Sequence, residues 1–566
     1  MKSVTLQNFL MGCNSASSTV PVAHKAGNGW NYCCLGEAEG DWSSIEDLNG
    51  HFLLIGVYEK SREQHVWTNR FGTFHCYYAY DGKRAAIGTD FKAVAEAASA
   101  KELDWEAIAG FFSFGFFPQD RTYFKDVKIL KPASHYIFNE QGKLLKEERY
   151  WNWHHEPDSK RSYEETVEEF GRIFQKVMRD QTHEGKIAIP ISGGLDSRST
   201  VAAIVMGPRK LDSRLQPEAD PPLAEKPSCG NDMGTERFWA YSYGYSEDSA
   251  ETKIAGKIAR AARLSFQPFT IKPYLFERLN SILSGVEGFQ DITQCRQAAV
   301  TGEISQHADS VIAAHWGDVW MDNMLDHGPQ TTDQRKITEK VLEKIQKKGR
   351  EWLVENICGQ QLKENPENFL REMVSQELRK LEHIEDPDFR IKAFKTDNWS
   401  FRWTCASLRM FQAAAFPRLP FYDNRIADFF CTVPTEFVRG RRLQIDYLKR
   451  FAPDLARITW QPYDANLYKY QHFNTWLLPK RGLKKMGRLL SGKPVIQRNW
   501  EVQFLNEKGQ QGLNEWLLRK SLKVHEFMSP VKVKELVDQL YQTPAAENGY
   551  AVSMLLTFSA WLEKYA

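Results

Sequence analysis

Over the first 150 or so residues the apolar positions fall in short runs separated by polar turns. Phe52-Leu53-Leu54-Ile55-Gly56-Val57-Tyr58 is followed by His65-Val66-Trp67-Thr68, then His75-Cys76-Tyr77-Tyr78-Ala79-Tyr80 and, after Asp81-Gly82, Arg84-Ala85-Ala86-Ile87-Gly88. Strands joined by such turns predict an antiparallel sheet. Phe91 to Ala100 and Trp105 to Phe112 carry helical spacing, and Tyr136-Ile137-Phe138 with Glu148-Arg149-Tyr150-Trp151 predicts a closing hairpin around Asn139 to Lys143. Polar His154 to Arg161 marks a boundary.

Beyond that boundary the period changes. Helix is predicted over Tyr163 to Gln181, Ser197 to Met206, Ala250 to Arg263 and Leu275 to Ser284. Short buried strands are predicted over Lys186 to Ile191, Phe238 to Tyr243, Phe266 to Ile271 and Ser310 to Ala314. Alternation of strand and helix predicts a parallel sheet covered on both faces. From Thr332 onward the pattern is mainly helical, and charged runs such as Lys336 to Lys348 suit solvated faces. The expected organisation is thus an α+β antiparallel amino-terminal domain over 1–153, an α/β doubly wound domain over 162–475 and a helical extension over 476–566. Gly207 to Glu236, with Pro208, Pro217, Pro221, Pro222 and Pro227, is a long loop that reads equally as a lid or as a passive insertion.

At 566 residues the chain exceeds one core, and a net charge of +2 gives no bulk reason to expect nucleic acid or an acidic membrane surface as partner. No apolar run approaches the roughly 18 residues of a membrane span, and the opening segment from Met1 has too short an apolar run for a signal peptide. The nine cysteines lack zinc-ligand spacing, and the adjacent Cys33 and Cys34 are poorly placed to bridge each other. Free thiols in a reducing compartment, the cytoplasm, are expected. The basic run Arg481 to Arg488 suits either an acidic partner or a solvated helix face.

Ile191-Ser192-Gly193-Gly194-Leu195-Asp196-Ser197-Arg198 stands between a buried strand and a helix. Two glycines let backbone approach a ligand closely. Ser192, Ser197 and the backbone N–H groups are candidate phosphate donors at the positive end of the helix. Asp196 would repel phosphate unless Mg²⁺ lay between them, and the run lacks the lysine of a Walker loop.

This run resembles the SGGxDS pyrophosphate loop of the N-type ATP pyrophosphatases. Within that superfamily the chain resembles the asparagine synthetase family, including the β-lactam synthetases and lasso-peptide cyclases. Leu48-Asn49-Gly50-His51-Phe52, Asn69-Arg70-Phe71-Gly72, Gly88-Thr89-Asp90-Phe91-Lys92, Phe114-Gly115-Phe116-Phe117-Pro118 and Arg149-Tyr150-Trp151 are similar to its glutaminase domain. Ser242-Tyr243-Gly244, Leu419-Pro420-Phe421-Tyr422-Asp423-Asn424-Arg425 and Val433-Pro434 are similar to its synthetase half. On this resemblance the aromatic run Phe111 to Phe117 is a packed strand and turn of the first domain.

The resemblance implies ATP and Mg²⁺ as cofactors. Ser192, Gly193, Gly194, Leu195, Asp196, Ser197, Tyr243, Gly244 and Gly317 would bind nucleotide, and Asp196 with Asp318 would hold the metal. It also exposes three departures. The family's glutaminase uses a cysteine at the processed amino terminus, whereas residue 2 is lysine and Cys13 is the nearest cysteine, so glutamine hydrolysis is expected to be lost. The family's Gly-Glu-Gly-Ser-Asp-Glu turn reads Ala314-His315-Trp316-Gly317-Asp318-Val319, which puts His315 where a general base or a mere loop contact is expected. A late-loop lysine is replaced by Trp460 in Arg457-Ile458-Thr459-Trp460-Gln461-Pro462, leaving Arg198, Arg457 or Lys469 as substitute cations.

The implied activity is ATP-dependent ligation of a small-molecule or peptide carboxylate to ammonia or an amine, with AMP and pyrophosphate released. An intramolecular cyclase and a catalytically inactive scaffold are the alternatives, and a homodimer is compatible with either.

Overall fold

The computed structural model describes residues 9–10, 19–80, 82, 85–205, 235–325, 333–473, 475, 496 and 498–566. The expectations for Lys2, Cys13, the proline-rich segment through residue 234 and Arg481 to Arg488 lie outside these residues.

The amino-terminal region forms two sheets. One has six antiparallel strands: β2 (Val22–Gly27), β3 (Trp30–Glu39), β4 (Asn49–Tyr58), β5 (Gln64–Thr68), β9 (Ser134–Phe138) and β10 (Leu144–Arg149), in the order β10-β9-β5-β4-β3-β2. The other runs β1-β7-β6-β8, from β1 (Phe9–Leu10), β6 (Tyr77–Tyr80), β7 (Ala85–Gly88) and β8 (Val127–Ile129), with β1 parallel to β7. Leu53, Ile55, Val66 and Phe138 of the first sheet bury against Cys76 and Ile87 of the second. Alternating apolar positions, seen as inward-facing residues, thus seal the two sheets together. The expected hairpin is β9–β10.

Two helices follow β7: α1 (Phe91–Ala97), capped by Asp90, and α2 (Trp105–Phe114), capped by Asp104. Here one expectation is corrected. Phe111 to Phe114 is the last turn of α2, not a strand, and Gly115 at φ 78° closes it in the left-handed conformation. The helical spacing of Trp105 to Phe112 continues through Phe114, and Gly115, with no Cβ to clash in the left-handed conformation, ends it. The expectations also omitted β2, whose six residues are all exposed and lack a buried alternation.

The second region begins with α3 (Tyr163–Gln181), held at its start by a capping box between Ser162 and Glu165. A five-stranded sheet follows, ordered β13-β12-β11-β14-β15, from β11 (Ile187–Pro190), β12 (Phe238–Gly244), β13 (Ser265–Thr270), β14 (Ser310–Ile312) and β15 (Phe416–Arg418), all parallel. Helices α4 (Asp196–Val205), α5 (Ala250–Ala261) and α6 (Leu275–Val286) alternate with these strands. The chain moves outward from β11 through β12 and β13, then returns to the other side of β11 for β14. That reversal opens a crevice between the carboxyl ends of β11 and β14, where open α/β sheets bind ligands.

The final helix, Ala546–Tyr565, is buried almost all round and packs beside α1, α2 and α6 in one continuous core. Trp561 stacks on Tyr123 at 3.7 Å between ring centroids. No helix among the described residues is long and apolar enough to cross a membrane. The seven described cysteines are unpaired and buried.

Candidate active site

The loop after β11 folds on its own hydroxyls. Ser197 Oγ accepts from the Ser192 N–H at 3.0 Å, and Ser192 Oγ accepts from the Gly194 N–H at 3.2 Å. Ile191 N–H donates to the carbonyl of Tyr241, tying the loop's root to β12. Gly193 faces the late loop, where a Cβ would stand 2.2 Å from Gln461 Oε1. The chain therefore needs glycine there for backbone to approach closely.

Opposite it, the turn after β14 is held in an uncommon shape. Trp316 sits at φ 80°, a costly region for an aromatic residue, and its indole N–H donates to Thr396 Oγ1 at 3.1 Å. A Cβ at Gly317 would stand 2.8 Å from Asp196 Cγ. This glycine lets the two carboxylate-bearing segments meet. Asp196, Gly194, Ser192, His315 and Asp318 share one cavity of about 400 Å³ with Lys395, Arg441 and Trp460.

Asp196 is the electrostatic centre. Its Oδ1 accepts from Arg441 Nη1 at 2.9 Å and from Gln444 Nε2 at 3.0 Å. Burial pushes its pKa up to about 6, against the pull of Arg441, while Asp318 pushes it further. Two carboxylates held together with only one guanidinium between them form a site that gains from a cation. Oxygen donors of this kind fit Mg²⁺. Among the described residues no cluster of three or more His, Cys, Asp or Glu side chains is placed to hold a metal, so phosphate oxygens and water would complete its shell.

His315 lines the same cavity with its ring edge-on to Phe411. Burial lowers its pKa to about 4, with Asp318 opposing and Arg296 assisting. Among the described residues its Nδ1 is buried without a hydrogen-bond partner. At neutral pH the ring is uncharged and retains capacity to accept a proton.

The three cations expected to substitute for the late-loop lysine lie elsewhere, Lys469 being exposed and outside the cavity lining. Arg198 is fully buried and donates to the carbonyls of Leu455, Ile458 and Thr459. It braces the late loop from below. Arg457 is exposed and paired with Asp454 at 2.8 Å. Tyr243 and Gly244 end β12 beside this crevice without lining the cavity. The Tyr243 ring lies 5.7 Å from the Arg296 guanidinium, and Gly244 packs against Ser249. Leu195 and Trp460 do line it.

Two cations of the cavity were missing from the sequence reading. Arg441 is set by a left-handed pair, Gly440 at φ 62° and Arg441 at φ 64°, ahead of the helix Arg442–Phe451. Basic residues at a helix start oppose its dipole, which is a signal available in the sequence. Lys395 has no such signal on its own.

Residues 35–151 match the glutamine amidotransferase domain family. A 167-residue stretch is 25% identical to a Methanocaldococcus jannaschii protein provisionally named a glutamine-hydrolysing asparagine synthetase. The resemblance is to the asparagine synthetase family. The matched stretch covers 28% of this chain and 32% of that relative, so the chain spans about a third of the length of the curated protein it matches. Residues 35–151 are therefore amidotransferase-like, and the matched stretch is asparagine synthetase-like.

Proposed function

We propose that this asparagine synthetase-like chain is an ATP-dependent carbon–nitrogen ligase that adenylates a substrate carboxylate and passes the acyl group to ammonia or an amine. The observation that carries it is the meeting of Asp196 and Asp318 across Gly317, above a serine- and glycine-lined loop at the sheet's reversal point. Gly194 and the two serines would seat pyrophosphate, and Asp196 with Asp318 would hold Mg²⁺, which neutralises charge on the departing group. Arg441 supplies positive charge on the cavity wall where the family's lysine is absent, so the Trp460 replacement does not by itself favour an inactive scaffold. Uncharged His315 is the candidate acceptor for the amine's proton.

The amidotransferase-like region is proposed to be structural. Its described cysteines, Cys33, Cys34 and Cys76, are buried, and burial raises their pKa values, that of Cys34 to about 12. Such thiols are poor nucleophiles. Ammonia or a substrate amine, inter- or intramolecular, is then the nitrogen source.

The test is product analysis with the full chain, ATP, Mg²⁺, a carboxylate panel and either ammonia or glutamine. Carboxylate-dependent AMP and pyrophosphate with ammonia alone is expected. ADP and phosphate, or turnover supported by glutamine, contradicts the reading.

A further inference from the structure

The tryptophan-rich part of the cavity lining has a composition that the nucleotide does not explain. It is walled by Trp316, Trp399, Trp403 and Thr404, with Lys395 among them. Lys395 begins, and Trp399 and Trp403 continue, one side of the wide-turned stretch Thr396–Thr404, a π-helical segment of the kind that gathers at functional sites. The Lys395 ammonium lies 4.8 Å from the Trp399 ring and 5.7 Å from that of Trp316. Among the described residues its hydrogen bond is to Met324 Sδ at 3.8 Å, a weak acceptor. Burial lowers its pKa, Asp318 opposes this, and Lys344, Lys347 and Lys392 add to it. With three lysines and one aspartate acting on it, the half-buried ammonium can take a further anion.

Trp403 complements it. The indole is half-buried, and among the described residues its ring contact is edge-on to Trp399 at 6.4 Å. Its face is therefore not consumed by core packing, unlike Trp460, which packs on Tyr463 and Phe473. Of the cavity's acids, Asp196 is engaged by Arg441, and Asp318 acts on the Lys395 ammonium as a counter-charge.

We propose that this part is the acid-substrate subsite, and that it selects an anion carrying a ring with a flat apolar face, seated on Trp403 with a negative group at Lys395, over an amino acid. The assignment rests on the ligase reading for its chemistry, but not for its binding. An aromatic carboxylate and a cyclic sugar acid share the required features, since both a π-face and the C–H face of a pyranose pack on indole.

Binding to the full chain, followed by calorimetry with Mg²⁺ and α,β-methylene-ATP present, tests it with benzoate, glucuronate and aspartate. At least one ring acid binds about tenfold or more tighter than aspartate, and which one distinguishes aromatic from sugar substrates. Lys395→Met weakens that acid by about tenfold, Lys395→Arg restores most of it, and Trp403→Leu weakens it comparably. Affinity for the nucleotide analogue stays within about twofold in each. Aspartate binding as well as the ring acids, failure of both ring acids to bind, or a Lys395→Met loss confined to the nucleotide overturns the proposal. The comparison among acids on the unaltered chain needs no variant to fold. Lys395-dependent binding without AMP formation would remove the ligase reading and leave the subsite. AMP formed with aspartate would do the reverse.

Discussion

Two buried histidines, one in each region, make different use of the same side chain. His51 in the amino-terminal sheets bonds Thr73 Oγ1 through Nδ1 at 2.7 Å and Gln412 through Nε2 at 2.9 Å. Burial lowers its pKa to about 3. Both ring nitrogens are spent, one of them across the junction with the second region, so His51 joins elements. His315 is also depressed by burial, yet among the described residues its Nδ1 has no partner, and its ring lines a cavity. The same contrast holds for the cations. Arg198 is consumed by three carbonyls, whereas Lys395 keeps unspent donor capacity beside open space. Buried polar groups are normally satisfied, and of the buried polar atoms left without a partner among the described residues, His315 Nδ1 is the one that lines the cavity at the ends of the parallel strands.

The largest break in that contrast should come from the paired acids. Asp318→Asn keeps the side chain's size and removes one of the two metal-binding charges. Carboxylate-dependent AMP release should fall by about 100- to 1000-fold, an order typical for a lost electrostatic contact to the reacting group. The melting temperature should move little, because Asp318 is exposed. Near-normal turnover would remove this carboxylate from the mechanism.

Arg198→Met tests the opposite class. It leaves three carbonyl acceptors without their buried donor, so stability should drop by about 3 kcal/mol in denaturant titration. The folded fraction should still bind ATP, with the late loop loosened. A variant of full stability that fails to bind ATP would return Arg198 to the phosphate-binding role.

That distinction was partly legible in the sequence. Asp196 and Arg198 are two positions apart at the start of one helix, so their side chains leave it about 200° apart. They cannot both face the same ligand. The glycine and serine positions of the loop followed from local chemistry, a turn that needs close backbone approach, and the limits of α3 from apolar residues at helical spacing. Arg441 did not, because it reaches Asp196 from 245 positions later in the chain and through a left-handed turn. Strand β15 was missed because three buried residues carry no period. Local signals located the loop, while the opposite wall of the cavity is made by contacts that only the folded chain brings together.

Gly317→Ala probes how tightly the two acid-bearing turns must meet. The added methyl would fall 2.8 Å from Asp196 Cγ and 2.9 Å from Phe421 Cζ, so Asp196 must move. A displacement of that scale should cost about 30- to 100-fold in kcat/KM for ATP. Thermal unfolding should show a smaller change than for Arg198→Met. Unchanged kinetics would mean that the aspartates do not act as a pair.

A subtler measurement uses protons instead of substitutions. Asp196 has a folded-state pKa of about 6 against an ordinary value of 3.8. A raised carboxyl takes up a proton on folding in that interval, so its contribution to stability grows as pH falls from above 6 toward 4 and is absent above 6. The effect should be on the order of 2 kcal/mol in the metal-free chain, read as melting temperature against pH. Asp196→Asn should lose this component. Saturating Mg²⁺ with a nucleotide should also suppress it by favouring the ionised form, and a profile indifferent to both would place Asp196 outside the metal site.

Arg457 should give the smallest effect, and its smallness is informative. The side chain is 63% exposed, bonds Asp454 three residues earlier at 2.8 Å and lies 5.8 Å from the Tyr468 ring. Exposed pairs of this kind contribute little, since water solvates both partners nearly as well. Arg457→Ala should therefore change stability by no more than about 0.5 kcal/mol and kcat/KM for ATP by less than about twofold. Arg441→Met in parallel should lower the same kcat/KM by at least about tenfold. A loss in the Arg457 variant comparable to that of Arg441 would mean that the late loop closes over the cavity during turnover and carries its arginine inward. The division between spent and unspent cations would then describe the resting chain alone.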